Sequence, residues 1–155
     1  MLDTELEKKL RPPQMELKPY PPKIITLANG DEMVVREVRD RDDVGVLLGT
    51  IQPLMGVQKD FYDIVAARMY AEILGWYTYR VANEFILVGA INGEIAGIVN
   101  SRVVDQKQGM SFHTLAVKRG LRIGAQLFAA KMERHIEILG NEELHIVAES
   151  PIGFK

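Results

Sequence analysis

Two stretches of the chain carry side chains whose types and spacing point to chemistry. The first is KRGLRIG, Lys118 to Gly124, a basic glycine turn that runs into a long helical pattern. A helix N-terminus presents unpaired N–H groups and a partial positive charge, so it can hold a pyrophosphate wherever side chains do not block it. Gly120 and Gly124 permit close approach of the backbone, and Lys118, Arg119 and Arg122 add positive charge. Like charges at a positive helix end are unfavourable unless an anion sits there; the plain alternative is a solvated helix start. The second stretch is the strand before it, SFHTLAV. Period-two alternation places Ser111, His113, Leu115 and Val117 on one face. His113 is the titratable member of that set, in the range that suits a general base. Its plain alternative is a half-buried strand histidine hydrogen-bonded for structure.

Composition narrows what else is possible. The chain has 155 residues, 47% of them apolar and 26% charged, which suits one soluble globular domain. A formal net charge of −2 does not suggest nucleic acid as a partner; that reading would rest on KRGLR alone and ranks last. There are no cysteines, which rules out disulfides, thiolate zinc sites and a cysteine nucleophile. His113, His135 and His145 lack ligand spacing with carboxylates, so no metal is expected. No apolar run approaches the roughly 18–20 residues of a membrane span, and MLDTELEKKL has charges where an export signal is apolar. The expected location is the cytoplasm, with no membrane partner.

Positioning elements follow from pattern. Residues 1–29 read as a proline-rich arm, because RPPQMELKPYPPK carries five prolines that remove backbone donors; residues 30–155 read as the packed domain. Leu2, Leu6 and Leu10 would line one face of a short helix within the arm. The arm either hangs loosely or lies on a protein partner or a second subunit, with Tyr20 and the prolines as contacts. Asn29-Gly30 suggests a hairpin pairing residues 24–27 with 33–38. A helix follows, capped by Asp40 or Asp42. Another is capped by Asp60, striped by Phe61, Ile64, Val65, Met69 and Ile73, and ended by Gly75. Trp76, Tyr77 and Tyr79 either line an acceptor pocket or form an apolar seam. Around Asn92-Gly93 a second hairpin is expected, then a third antiparallel strand, a helix from about Leu121 to Leu139, and a final strand ELHIVAES. The order β, α, α, β, β, β, α, β is that of an α+β domain with a mixed sheet.

This order, with a basic glycine turn between strand and long helix, resembles the GNAT acyltransferase family over roughly residues 32–149, about three quarters of the chain. The family's turn has the pattern Q/R-x-x-G-x-G/A; RGLRIGA supplies Arg119, Gly124 and Ala125 in register, with Arg122 where the middle glycine belongs. LAV before the turn and IGAQLF within it also look like the family. The resemblance implies a mixed, mostly antiparallel sheet flanked by helices, with acetyl-CoA as co-substrate. Acetyl-CoA would be held along Leu115, Ala116, Val117, Lys118, Arg119, Gly120, Leu121, Arg122, Ile123, Gly124 and Ala125. The pantetheine arm would pair with Leu115–Val117 like an added strand, and a backbone N–H near Ala116 or Val117 would serve the oxyanion. The link from Val117 to Arg119 is shorter than the family's. The family's C-terminal helix, with its frequent tyrosine acid, and its last strands would be missing here.

For amine acylation the resemblance offers two catalytic candidates, His113 on the strand before the turn and Glu149 on the strand after the helix; the plain reading of Glu149 is a solvated strand end. The implied activity is direct transfer of an acetyl group from acetyl-CoA to an amine, with no covalent intermediate and an unknown acceptor. A rival reading makes the domain a catalytically inactive GNAT-like assembly module in a larger complex, for instance a virus particle, docked through its arm. Arg122 discriminates between them: paired with a carboxylate over the helix N-terminus it fills the site with protein, and pointing outward it leaves the site open.

Overall fold

The computed structural model describes residues 16–39, 41–58 and 62–146. Six strands form one sheet in chain order: β1 Lys23–Thr26, β2 Glu32–Glu37, β3 Glu84–Ile91, β4 Glu94–Val103, β5 Gln108–Ala116 and β6 Glu143–Ile146. Neighbours run antiparallel except β5 and β6, which are parallel. Helices α1 (Arg41–Ile51) and α2 (Tyr62–Tyr79) lie between β2 and β3 in the chain; α3 (Ile123–Glu133) follows β5 and runs on into a π-helical turn at Arg134–Ile138. This is the mixed α+β architecture read from the sequence. No helix among the described residues is long and apolar enough to cross a membrane.

Alternation along β3 sorts the core into two layers. Phe85, Leu87 and Ile91 pack with Ile123, Leu127 and Ala130 of α3, while Ile86 and Val88 pack with Leu47, Ile51, Met69 and Ile73 of α1 and α2. Gly97 lets α3 sit directly on the sheet, since a Cβ there would lie 2.5 Å from Leu127 and 2.9 Å from Ile123. The first turn of α3 is thereby fixed against β4. Asn92 and Gly93 take φ 52° and 82°, the left-handed pair that joins β3 to β4 as expected.

Three expectations change. Packing begins before residue 30: β1 pairs with β2, and Tyr20 and Leu27 are buried against the α3 layer, so a boundary at 29/30 would cut a hairpin. Residues 1–15, with the short leucine helix, lie outside the described residues. Gly75 does not end α2, because Trp76 one residue on still packs into the core. The stop is at Arg80, in the left-handed region at φ 51°, with Val81 N–H donating to Trp76 C=O at 3.2 Å in the manner of a Schellman cap. The buried stripe of α2 is Ala66, Met69 and Ile73, and Ile64 faces solvent. Residues Asp40, Asp60 and Phe61 lie outside the described residues, as does the side chain of Asp42.

Candidate functional site

The strand that leads into the basic turn does not alternate as its sequence suggests. Asn100 is opposite His113, but the next residue, Ser101, is opposite Ser111, so Phe112 is the extra residue of a β-bulge. The bulge divides the expected one-face set. Ser111 faces α3, where Lys131 reaches it at 2.8 Å, whereas His113 and Leu115 face α2. Among the described residues, β5 pairs with β6 from Gln108↔Glu143 to Ser111↔Ile146, on the N-terminal side of the bulge. Leu115 is core, so only its backbone can meet a ligand.

On the α2 side His113 is fixed by two residues that sequence inspection did not single out. Its Nδ1 lies 2.8 Å from Glu72 Oε1, and the same oxygen accepts from Asn100 Nδ2 at 2.8 Å. Asn100 Oδ1 in turn accepts the His113 N–H at 3.0 Å. Because the carboxylate can only accept, Nδ1 carries the hydrogen, and a neutral ring has its lone pair on Nε2. This is an oriented imidazole backed by a carboxylate, the arrangement of a general base. Glu149 lies outside the described residues. Trp76 is half-buried against the α1/α2 layer, and Tyr79 is exposed, so the aromatic trio does not act as one wall.

On the α3 side three charged or titratable groups are buried completely: Lys131, Arg134 and His135. Lys131 Nζ donates to Ser111 Oγ at 2.8 Å, His113 C=O at 3.1 Å and Asn100 C=O at 3.3 Å; burial pushes its pKa down to about 7. Asn141 gives both amide hydrogens to the carbonyls of Asp105 and Gln106, so its Oδ1 faces His135 Nδ1–H at 2.8 Å. His135 Nε2 meets the Ser101 hydroxyl, which also lies 3.0 Å from Met110 C=O, and burial lowers this imidazole to about 4. Sequence reading missed these residues because KMERH looks like a solvated helix face. A signal was present: Ile123, Leu127, Ala130 and Arg134 follow the four-three-four spacing of a buried stripe.

Past the bulge the chain enters α3 through Gly120 at φ 89° and Arg122 at φ 56°. Arg122 occupies the N-cap without a capping hydrogen bond, and the first turn contains no acidic residue. Its side chain is exposed and makes no ion pair among the described residues, so the carboxylate-paired alternative is not what the structure has. Arg119 lies over the ring of Tyr62, 5.0 Å from its centroid, and Lys118 is 3.7 Å from Glu94. The Tyr62 hydroxyl donates to Ala116 C=O at 2.9 Å, and the N–H groups of Val117 and Lys118 both donate to Ala96 C=O, at 2.8 and 3.0 Å. Of the two expected oxyanion donors, the Val117 N–H is therefore committed to the sheet. Leu121 packs against the α3 core, Ile123 is buried within it, and Gly124 has room for a Cβ, with Thr114 and Ala116 3.7 and 3.8 Å away. Ala125, beside it in the first turn, is exposed.

No protein-family model matches the sequence, and no curated protein is similar to it. Solved structures are similar in fold. A predicted acetyltransferase from Clostridium acetobutylicum, determined with acetyl-CoA, aligns with a TM-score of 0.55 at 14% identity, over 78% of this chain and 83% of that one. A GNAT family acetyltransferase from Staphylococcus aureus gives 0.54 at 13% identity, over 76% and 87%. The aminoglycoside N-acetyltransferase AAC(6')-Iy in complex with CoA gives 0.53 at 14% identity, over 89% and 84%. A strand, a basic turn and a seated helix in this order, on a mixed six-stranded sheet, give this chain the GNAT fold.

Proposed function

We propose that the protein is an N-acyltransferase that moves an acetyl group from acetyl-CoA to an amine. The observation that carries the reading is the pairing of an uncapped, cation-flanked N-terminus of α3 with an oriented histidine–carboxylate pair at the bulge of the preceding strand. Structures of similar fold determined with acetyl-CoA or CoA support it.

The N–H groups of Ile123, Gly124 and Ala125 open α3 and take the diphosphate, with Lys118, Arg119 and Arg122 supplying charge. The pantetheine arm runs along β5 at Leu115–Val117, where it exchanges with the Tyr62 hydroxyl at Ala116 C=O. The acceptor enters from the α2 side. His113 Nε2 takes a proton from its ammonium, and Glu72 stabilises the imidazolium that results. The amine nitrogen then attacks the thioester carbonyl carbon. The C–N bond forms, the C–S bond breaks, and the CoA thiolate leaves to be protonated as the thiol. Glu149 remains a candidate for the second proton transfer.

Calorimetric titration with acetyl-CoA, beside Arg119→Ala, tests the binding half. Micromolar affinity that weakens in the variant is expected. No heat and no thermal shift at millimolar acetyl-CoA would overturn the reading. Thiol release in the presence of a panel of primary amines tests the chemistry.

A further inference from the structure

Lys131 is the least expected group in the molecule: an ammonium side chain at 0% exposure, on the side of the sheet away from the proposed chemistry. Among the described residues no carboxylate contacts it. Its three partners are two main-chain carbonyls and one hydroxyl, all at the bulge. A bulge breaks the ladder and leaves backbone groups unpaired, and a buried unpaired carbonyl is costly. Lys131 satisfies the carbonyls at the strand pair that flanks the irregularity, Asn100 and His113.

Two roles compete. A lysine 2.8 Å from a serine hydroxyl has the geometry of a base beside a nucleophile. Exposure decides against it, since Ser111 is 2% and Lys131 0% exposed and no substrate atom reaches either. Valence agrees. As an ammonium, Nζ gives its three hydrogens to three acceptors; as an amine it gives two to the carbonyls and accepts from Ser111. Both forms close both carbonyls, and neither leaves a lone pair for chemistry.

We propose that Lys131 is a positioning residue that holds the β5 bulge from the α3 side and so turns the His113 ring against Glu72 on the α2 side. The inference rests on reading the His113–Glu72 pair as the reacting centre, but the geometric claim can be tested without substrate. His113 is attached to the clamp through its own carbonyl and to Asn100 through its N–H, so both ends of that residue are held. Facing groups that also act on the ammonium are Glu72 through the sheet, His135 on the following turn and the Phe128 ring at 5.5 Å.

The experiment is long-range proton–nitrogen NMR of the histidine rings in the full chain. His113→Gln identifies the His113 signals by their loss, and Glu72→Gln gives the signature of a ring without its carboxylate. In Lys131→Met the His113 nitrogens are expected to move toward that signature. In Lys131→Gln, which keeps amide donors for the carbonyls, they should move less. A folded Lys131→Met with unmoved His113 signals overturns the proposal. Should that variant fail to fold, Lys131→Leu, which also lacks donors for the carbonyls, decides in its place: a shift supports the clamp and none overturns it. In acyl transfer, kcat should fall about 100-fold with KM for acetyl-CoA unchanged, because the reacting groups are misplaced while the helix N-terminus is intact. A wild-type protein without acyl transfer removes the proposed function, whereas the NMR result still judges the clamp.

Discussion

The two ends of α3 follow opposite rules. At its C-terminal end the charges of Glu133 and Arg134 are used by the protein. Glu133 accepts from the Tyr20 hydroxyl at 2.9 Å and pairs with Lys23 at 3.2 Å. Arg134 pairs with Glu37 at 2.6 Å, donates to Lys18 C=O at 3.0 Å and lies 4.4 Å over the Phe85 ring. At the N-terminal end the N-cap residue makes no capping side-chain bond, the first turn holds no acidic residue, and Arg122 is exposed. One end fastens residues 16–27 to the domain; the other has first-turn N–H groups without a side-chain cap, which is where the proposed ligand would bind. Changes at the first end should cost stability and spare ligand binding, and changes at the second should do the reverse.

The largest effect is expected at the fastened end. Glu37→Ala leaves the fully buried Arg134 guanidinium without its carboxylate and should cost about 3–5 kcal/mol in urea unfolding. Arg134→Met should cost clearly less. Among the described residues Arg134 Nε and Nη1 are buried without a hydrogen-bond partner, so removing the guanidinium also removes two unsatisfied donor nitrogens. Affinity of the folded protein for acetyl-CoA should not change in either variant. A loss of affinity that tracks the loss of stability would break the contrast between the ends.

Next is the bulge, with the proposed chemistry on its α2 side and Lys131 on its α3 side. Glu72→Gln and His113→Ala should each lower kcat by about 10²–10⁴-fold in the thiol-release assay. Both should leave acetyl-CoA binding within about twofold, because the helix N-terminus is untouched. Equal loss of binding would mean that the pair holds cofactor and takes no part in proton transfer.

The buried bases on the α3 side give pH dependences of known sign. His135 is lowered to about 4, so the unfolded chain takes up its proton first as pH falls; stability should drop between pH 6.5 and 4, by up to about 3 kcal/mol. Lys131 is lowered to about 7, so from pH 7 toward 10.5 the unfolded chain holds a proton that the fold does not, and stability should rise with pH. Above pH 10 the raised pKa of Tyr20 opposes this, because the fold keeps a proton that the unfolded chain releases. Thermal midpoints should therefore climb from pH 7 to 9 in the wild type and stay flat in Lys131→Met.

What the sequence disclosed is local. Asn92-Gly93 demands its turn wherever it stands, and the basic turn before a helical pattern needs no knowledge of the remainder of the chain. What it concealed depends on partners. SFHTLAV gives no sign of a bulge, because the slip is set against β4, and the misplacement of Ser111 followed from assuming an unbroken ladder. Glu72 sits on a helix whose sequence does not say which face meets His113. The tail-like prolines hid Tyr20, whose burial depends on a phenol reaching Glu133 across more than a hundred residues of chain.

The smallest effect sharpens the comparison most. Arg122 holds φ 56°, a conformation that costs a side-chain-bearing residue about 1 kcal/mol or more and costs glycine little. Arg122→Gly should raise stability by somewhat less than that, about 0.5–1 kcal/mol, because glycine also gains freedom in the unfolded chain. The exposed guanidinium contributes no packing that would be lost. Acetyl-CoA affinity should fall about two- to fivefold at low salt, the worth of one charge near a helix end, and the difference should fade as salt screens it. A gain in affinity would carry the opposite message. It would mean that in solution the Arg122 side chain lies over the first turn, and that the N-terminal end of α3 is closed by protein as its C-terminal end is.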